Sequence, residues 1–286
     1  MASTINTNIP SLNAQRSLAN TQNSLAVSMA RLSSGLRVNS AKDDAAGLSI
    51  AERMTSQVRG MNVAMRNAND GISMSQTAEG ALGKTGEILQ RMRELAVQSA
   101  NATNSTSDKS SLDSEFGELA KEVQRVFAST TFNGRKIMGS DAGAQIFQVG
   151  ANTSAENQIT VTTTNMTAQD DLKAVAGADI AGSNRAVITG SSVEVLAVID
   201  KIDTAISKVS DERSVLAASQ SRFESAISYL QISTENQAAA RSRIMDADFA
   251  QETANLSRSQ ILSQAGSAML AQANQLPQSV LALLRG

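Results

Sequence analysis

Two pairs of carboxylates are the strongest candidates for chemistry in this chain: Asp43-Asp44 and Asp246-Ala247-Asp248. A metal or an acid–base pair needs such groups to converge in a cleft beside an electrophile or nucleophile. Side chains adjacent on a helix diverge by about 100°, so neither pair alone makes a chelate. Their plainer role is to complement the positive end of a helix dipole. The chain has 0 Cys and 0 His, which removes thiolate ligands, disulfides and the commonest general base. No HExxH, phosphate loop or nucleophile–histidine arrangement can be written from what remains. Met54, Met61, Met65 and Met92 fall in register on one face, which reads as gap-filling core before it reads as a soft-metal site. Gln90-Arg91-Met92-Arg93-Glu94 sets two guanidiniums and a carboxylate around an apolar position; residue physics alone makes that a solvated face with local ion pairs. Sequons such as Asn104-Ser105-Thr106 carry little weight without a secretory context. Catalysis, cofactors and metals are not expected.

What must position these residues is helical. Val195, Ile202, Val209, Leu216, Phe223, Leu230, Gln237 and Ile244 stand at strict seven-residue intervals, with Gln237 the polar entry. Leu262, Met269, Leu276 and Leu283 repeat the interval at the C-terminal end, and Leu18, Leu25 and Leu32 do so near the N-terminus. A heptad stripe needs a partner helix, so head and tail are expected to pack on each other or on further copies. Aromatics are only 2% against 41% hydrophobic residues, a composition suited to slender helix seams rather than a bulky core. Pro10 and Pro277 each lie near an end, and the interval between them lacks the strongest helix breaker.

The first helix is expected over about 5 to 37, ending near Ser33-Ser34-Gly35. Asn39-Ser40 then offers a cap, with Lys42-Asp43-Asp44 in the first turn of the next helix. Gly80, Gly83 and Gly86 point either to a break in that helix or to a close helix approach. After the polar stretch Asn101–Ser111 a shorter helix carries Leu112, Phe116, Leu119, Val123 and Val126. From about 131 to 190 short strands and loops are expected: Asn133-Gly134 marks a tight turn, and Gln145–Val149 and Gln158–Thr162 alternate with period two. Helix resumes near Ser191 and runs to about 244, long enough for a rod.

The residues therefore read as mainly α, a long helical rod with short strands in the middle of the chain. The segments divide as 1–44 and 245–286 at the two ends, 45–190 for the N-terminal helices with the variable element at about 131–190, and 191–244 for the long C-terminal helix. A net charge of −2 without a basic block gives no footprint for nucleic acid, and no apolar run is long enough for membrane insertion. The start lacks a secretory signal, so a route outside the cell has to be another one.

The stretch Leu32-Ser33-Ser34-Gly35-Leu36-Arg37-Val38-Asn39-Ser40-Ala41-Lys42-Asp43-Asp44-Ala45-Ala46-Gly47-Leu48 closely resembles the N-terminal signature of bacterial flagellin. The resemblance continues through Arg66–Ser73 and Leu89–Gln98, and Ser257–Leu262 with Ala271–Pro277 matches the C-terminal signature. It covers about 1 to 140 and 190 to 286. This family resemblance of the terminal segments implies the fuller fold class: a long antiparallel helical coiled-coil rod with a small β-hairpin element in the middle of the chain, 1–44 and 245–286 being the two halves of one coiled coil. It implies a subunit of the extracellular flagellar filament, a helical homopolymer whose paired termini line the core, with Leu18, Leu25, Leu32, Leu262, Met269, Leu276 and Leu283 as packing residues. Only about fifty residues separate the matched regions, which implies a short form lacking large outer domains.

The same resemblance implies unfolded passage through the flagellar type III apparatus, an export chaperone on the C-terminal segment, and contacts with filament cap and hook-junction proteins. It also implies immune recognition. Gln90, Arg91, Leu95 and Glu115 match positions bound by vertebrate Toll-like receptor 5. Ala30–Ala51 is similar to the segment read by a plant flagellin receptor and shares Arg37, Asn39, Ser40, Lys42, Asp43, Asp44 and Gly47, while Ala30, Leu36 and Val38 depart from it. Two competing readings are a hook–filament junction protein and a chemoreceptor-like signalling hairpin; the second predicts one tight turn mid-chain instead of some sixty strand-like residues. About forty residues at each end are expected to fray in the monomer and become helical in the polymer.

Overall fold

The computed structural model describes residues 7–285, with side chains to 275. Its elements are helices α1 (Ile9–Ser34), α2 (Ala45–Ser99) and α3 (Thr106–Ser129), strands β1 (Thr131–Phe132), β2 (Arg135–Lys136), β3 (Ala144–Gln148) and β4 (Gln158–Thr162), then α4 (Asp170–Ala176), α5 (Ser192–Met245) and α6 (Phe249–Arg285). The mainly helical class with small β-hairpins is what the periodicities call for. The chain divides into two compact units, one drawn from 1–56 and 235–286, the other from 57–234.

In the first unit α1 packs along α6. Helix α1 starts later than the expected position near 5. The Asn8 side chain accepts from Ser11 N at 3.1 Å, and Pro10 occupies the first turn, where its missing N–H costs nothing. It ends at Gly35, whose φ of 71° is the left-handed conformation a C-cap needs. The following helix also begins later than expected, at Ala45, so neither Asp43 nor Asp44 lies in its first turn. Asp44 caps it instead: its Oδ1 accepts from Gly47 N at 2.8 Å.

In the second unit α3 folds back on α2 and α5 runs antiparallel to α2, as the Arg93–Asp203 and Glu79–Gln220 contacts between them require. Val195, Ile202, Val209, Leu216, Phe223 and Leu230 are all buried, so the seven-residue stripe of α5 faces its own chain. Leu82, Leu89 and Met92 are fully buried on α2. Gly80, Gly83 and Gly86 neither break this helix nor admit a close neighbour, since a Cβ at each would meet nothing within 4 Å. Burial of the opposite face outweighs the roughly 1 kcal/mol that each glycine costs. The close approach occurs elsewhere. A Cβ at Gly71 would lie 2.5 Å from Phe223 Cζ, and one at Gly60 would lie 2.8 Å from Ala151 Cβ.

Helix α3 begins six residues before Leu112, inside the polar stretch, because Ser105 and Asp108 form a reciprocal capping box. Among its stripe residues Phe116 and Val123 are buried, with Leu112 and Leu119 packed against the same core. Asn133 and Gly134, at φ 48° and 78°, turn β1 into β2 as the Asn-Gly pair requires. β3 and β4 pair antiparallel, from Ala144 opposite Thr162 to Gln148 opposite Gln158. Ile159 and Val161 point inward, and the Phe147 ring meets Phe223 edge-on at 5.5 Å. The segment expected to be strands and loops also contains α4, which buries Leu172, Val175 and Ala176.

Candidate functional site

The carboxylates that looked most like chemistry are structural. Asp43 Oδ2 accepts from Ser40 N (2.9 Å), Ser40 Oγ (3.0 Å) and Asn39 N (3.2 Å). The Ser40 side chain, then the Ser40 and Asn39 N–H groups, hold its carboxyl below the usual range. Asp248 Oδ1 accepts from Ala250 N and Gln251 N and caps α6. Among the described residues no three acidic groups come together as a metal site. Between these caps the chain is stitched by a short bridge. Leu36 pairs with Asp246, Ala247 N donates to Gly35 O at 2.9 Å, and Arg37 Nη2 donates to Ile244 O at 2.6 Å. Arg37 thereby places a cation on the last carbonyls of α5, where the dipole favours one. Of the residues matched to the plant-receptor segment, Asn39, Ser40 and Lys42 are exposed and Gly47 is buried; Val38, where the segment departs, is 1% exposed.

The α1–α6 pair differs from expectation on one side. On α1, Leu18, Leu25 and Leu32 are half-buried, in register with buried Ser11 and Ser28. On α6 the seam is Leu256, Ser259, Ser263, Gly266, Leu270 and Ala273, spaced three and four apart. Leu262 and Met269, expected on that seam, lie off it and are 51% and 64% exposed. The helices approach closely enough that a Cβ at Gly266 would sit 3.3 Å from Leu18 Cδ1, so small residues occupy the contact and the larger ones turn outward. Ile9, Leu12, Val27, Met29 and Ile261 are exposed as well, each at 45% or more. This unit thus carries more large apolar side chains outside its seam than a lone hairpin needs. The side chains of Leu276 and Leu283 lie outside the described residues.

A second surface lies on the other unit. The Arg91 guanidinium bridges helices: Nη2 and Nε donate to Glu115 Oε1 at 2.9 and 3.2 Å, and Nη1 donates to Glu94 Oε2 at 2.9 Å. Arg93 makes a two-point contact with Asp203 on α5, at 2.6 and 3.2 Å. The charged run around Met92 therefore ties α2 to both of its neighbours, beyond the local pairs its spacing implied. Gln90 is exposed beside a groove of about 500 Å³ that it lines with Arg93, Glu94, Val97 and Gln98. Leu95, matched to the same receptor positions, is only 1% exposed. It supports this surface from below and cannot present its side chain to a partner, because its helical position faces the core.

Sequence reasoning missed a clamp nearby. Arg185 Nη2 and Nη1 donate to Asp113 Oδ2 and Oδ1 at 2.6 and 3.0 Å, Ile188 N donates to Asp113 Oδ1, and the guanidinium lies 5.9 Å from the Phe116 ring centre. No periodicity announces a pair seventy-two residues apart, one member of which sits in a loop.

Two family models match the chain: the bacterial flagellin N-terminal helical region over residues 5–142, and the bacterial flagellin C-terminal helical region over residues 199–284. Flagellin of Halalkalibacterium halodurans is 45% identical over 281 residues, covering 98% of this chain and 99% of its own. Polar flagellin B/D of Vibrio parahaemolyticus is 36% identical, covering 99% and 100%. The crystal structure of Bacillus cereus flagellin aligns over 62% of this chain and 94% of its own, with 28% identity and a TM-score of 0.48. With both terminal helical regions matched in order, and a relative alike from end to end, the chain belongs to the bacterial flagellin family.

Proposed function

We propose that this chain is the structural subunit of the bacterial flagellar filament, assembled outside the cell from many copies of itself and serving motility without catalysis. The family supports the filament role, and the observation that carries the mechanism is the outward apolar face of the α1–α6 pair. Leu12, Val27, Met29, Leu262 and Met269 are exposed in one subunit and gain burial only when further copies cover them. Among the described residues no helix is long and apolar enough to cross a membrane.

Passage to the tip proceeds through the flagellar export channel with the chain unfolded, which an absence of disulfides permits. A chaperone covers the C-terminal segment before export, and the cap and hook-junction proteins bound the growing polymer. The Gln90, Arg91 and Glu115 surface is the face read by Toll-like receptor 5, with Leu95 holding it from beneath. Residues 30–51 carry the plant-receptor segment, whose Arg37 and Asp43 are engaged within the folded chain.

Electron microscopy of purified protein under polymerising conditions tests the central statement. Smooth hollow filaments are expected; persistent monomers or dimers would overturn it.

A further inference from the structure

We infer that Arg31 and Glu252 form the register pin of the α1–α6 pair: they select which residues of the two helices face each other. Three observations carry this. The seam on α6 is built mainly from small residues, Ser259, Ser263, Gly266 and Ala273, so one heptad from Gly266 in either direction Leu18 would again meet a small side chain, Ser259 or Ala273, with the approach eased by a few tenths of an ångström. Packing alone discriminates weakly among such positions. In this seam Glu252 keeps only 9% of its side chain exposed, and its Oε2 lies 3.8 Å from Arg31 Nη1. The Arg31 Nε is buried and donates to no other protein group, and at 3.8 Å the pair is an ion contact rather than a hydrogen bond.

An ion pair with a buried carboxylate adds little stability over apolar residues, yet removing Arg31, which is itself 32% exposed, strands the largely buried Glu252 charge. That asymmetry is what a register device needs. A one-heptad slip places Glu252 opposite residues near Ser24 or Val38 and leaves its carboxylate without Arg31. At the far end of the pair, Asn8 Nδ2 donates to Ala273 O and Ser11 Oγ to Asn274 Oδ1, both at 2.8 Å. Those contacts share the Arg31–Glu252 alignment, as does the Leu36–Asp246 bridge at the near end, and Arg31–Glu252 is the ion pair of the set. Correct outward placement of Met269 and Leu262 on neighbouring copies depends on the same alignment, so the inference rests on the self-assembly reading.

The absence of cysteine makes the register directly measurable. One reporter carries Ser11→Cys with Asn274→Cys, which face each other here; a second carries Ser11→Cys with Ser267→Cys, which meet only after a one-heptad slip. Each is assembled with an excess of parent chain, so that oxidation gives intrachain disulfides. In the parent background the native reporter should cross-link at least about tenfold more than the shifted one. Replacing the pair by Arg31→Met with Glu252→Leu keeps the helices packed and should bring the two reporters near parity. The exchange Arg31→Glu with Glu252→Arg should restore the native preference. Native-only cross-linking in the Met/Leu background, or failure of the exchanged pair to restore the preference, overturns the inference. Failure of the parent chain to form filaments would instead strike the self-assembly reading.

Discussion

The double substitution Leu262→Ala with Met269→Ala separates the outward face of α6 from its seam. The side chains are 51% and 64% exposed in the single subunit. Burying such a side chain completely is worth about 1.5–3 kcal/mol, so the part still open to neighbours carries about 1 kcal/mol each. Their joint loss of about 2 kcal/mol per subunit added raises the critical concentration for assembly roughly 30-fold, at about 1.4 kcal/mol per decade. Subunit melting, followed by circular dichroism, should move little, since alanine is the best helix former and little intramolecular packing is removed. Pelleting assays seeded with filament fragments give the critical concentration. The matched control is Leu256→Ala with Leu270→Ala, on the half-buried seam, which should weaken subunit helicity as well as assembly. A critical concentration within about threefold of the parent, with an unchanged monomer, would refute the assignment of this face to subunit contacts. A monomer that melts early would show that the residues act through the fold instead.

Asp113→Asn should destabilise the folded subunit by about 1–3 kcal/mol at neutral pH, read by denaturant unfolding, because it leaves Arg185 largely buried and poorly paired. Burial works to raise the Asp113 carboxyl, but the Arg185 hydrogen bond, the Ile188 N–H and the Arg185 charge outweigh it and hold it below the ordinary range. Its contribution is therefore complete above the unfolded value of about 4 and fades as pH falls through the lower folded value; the parent and the Asn variant should converge in acid. Gly71→Ala should cost about 1–3 kcal/mol by crowding Phe223, whereas Gly80→Ala should stabilise by up to about 1 kcal/mol; thermal melts with the same sign for both would contradict the local geometry. Arg91→Ala or Glu115→Ala should reduce Toll-like receptor 5 signalling in reporter cells without changing the melting temperature much, since both groups are exposed. Leu95→Ala should lower stability by about 2–5 kcal/mol, and its effect on signalling should follow the loss of fold.

Periodicity alone determined much of this molecule. The seven-residue stripe from Val195 to Leu230 is buried throughout, the alternation of Gln158–Thr162 is a strand with Ile159 and Val161 inward, and Asn133-Gly134 is a left-handed turn. These features are local: a repeat of 3.5 or 2.0 says which residues share a face, and a positive φ says which residue can turn. The flagellin signatures lie in the same contiguous segments. Which neighbour covers a face is not local, and there tertiary structure decided. On α6 two stripes compete, and the close approach of α1 chose Ser259, Gly266 and Ala273 for contact while turning Leu262 and Met269 outward. Leu95 could not be told from its exposed neighbours until α2 received its core. The helix-weakening glycines at 80, 83 and 86 were harmless because the opposite face was buried. Asp113 and Arg185, and Arg31 and Glu252, are brought together only by the paths of helices and loops between them. Burial of a side chain depends on what the rest of the chain places over it, and that is a property of the assembled fold rather than of any one segment.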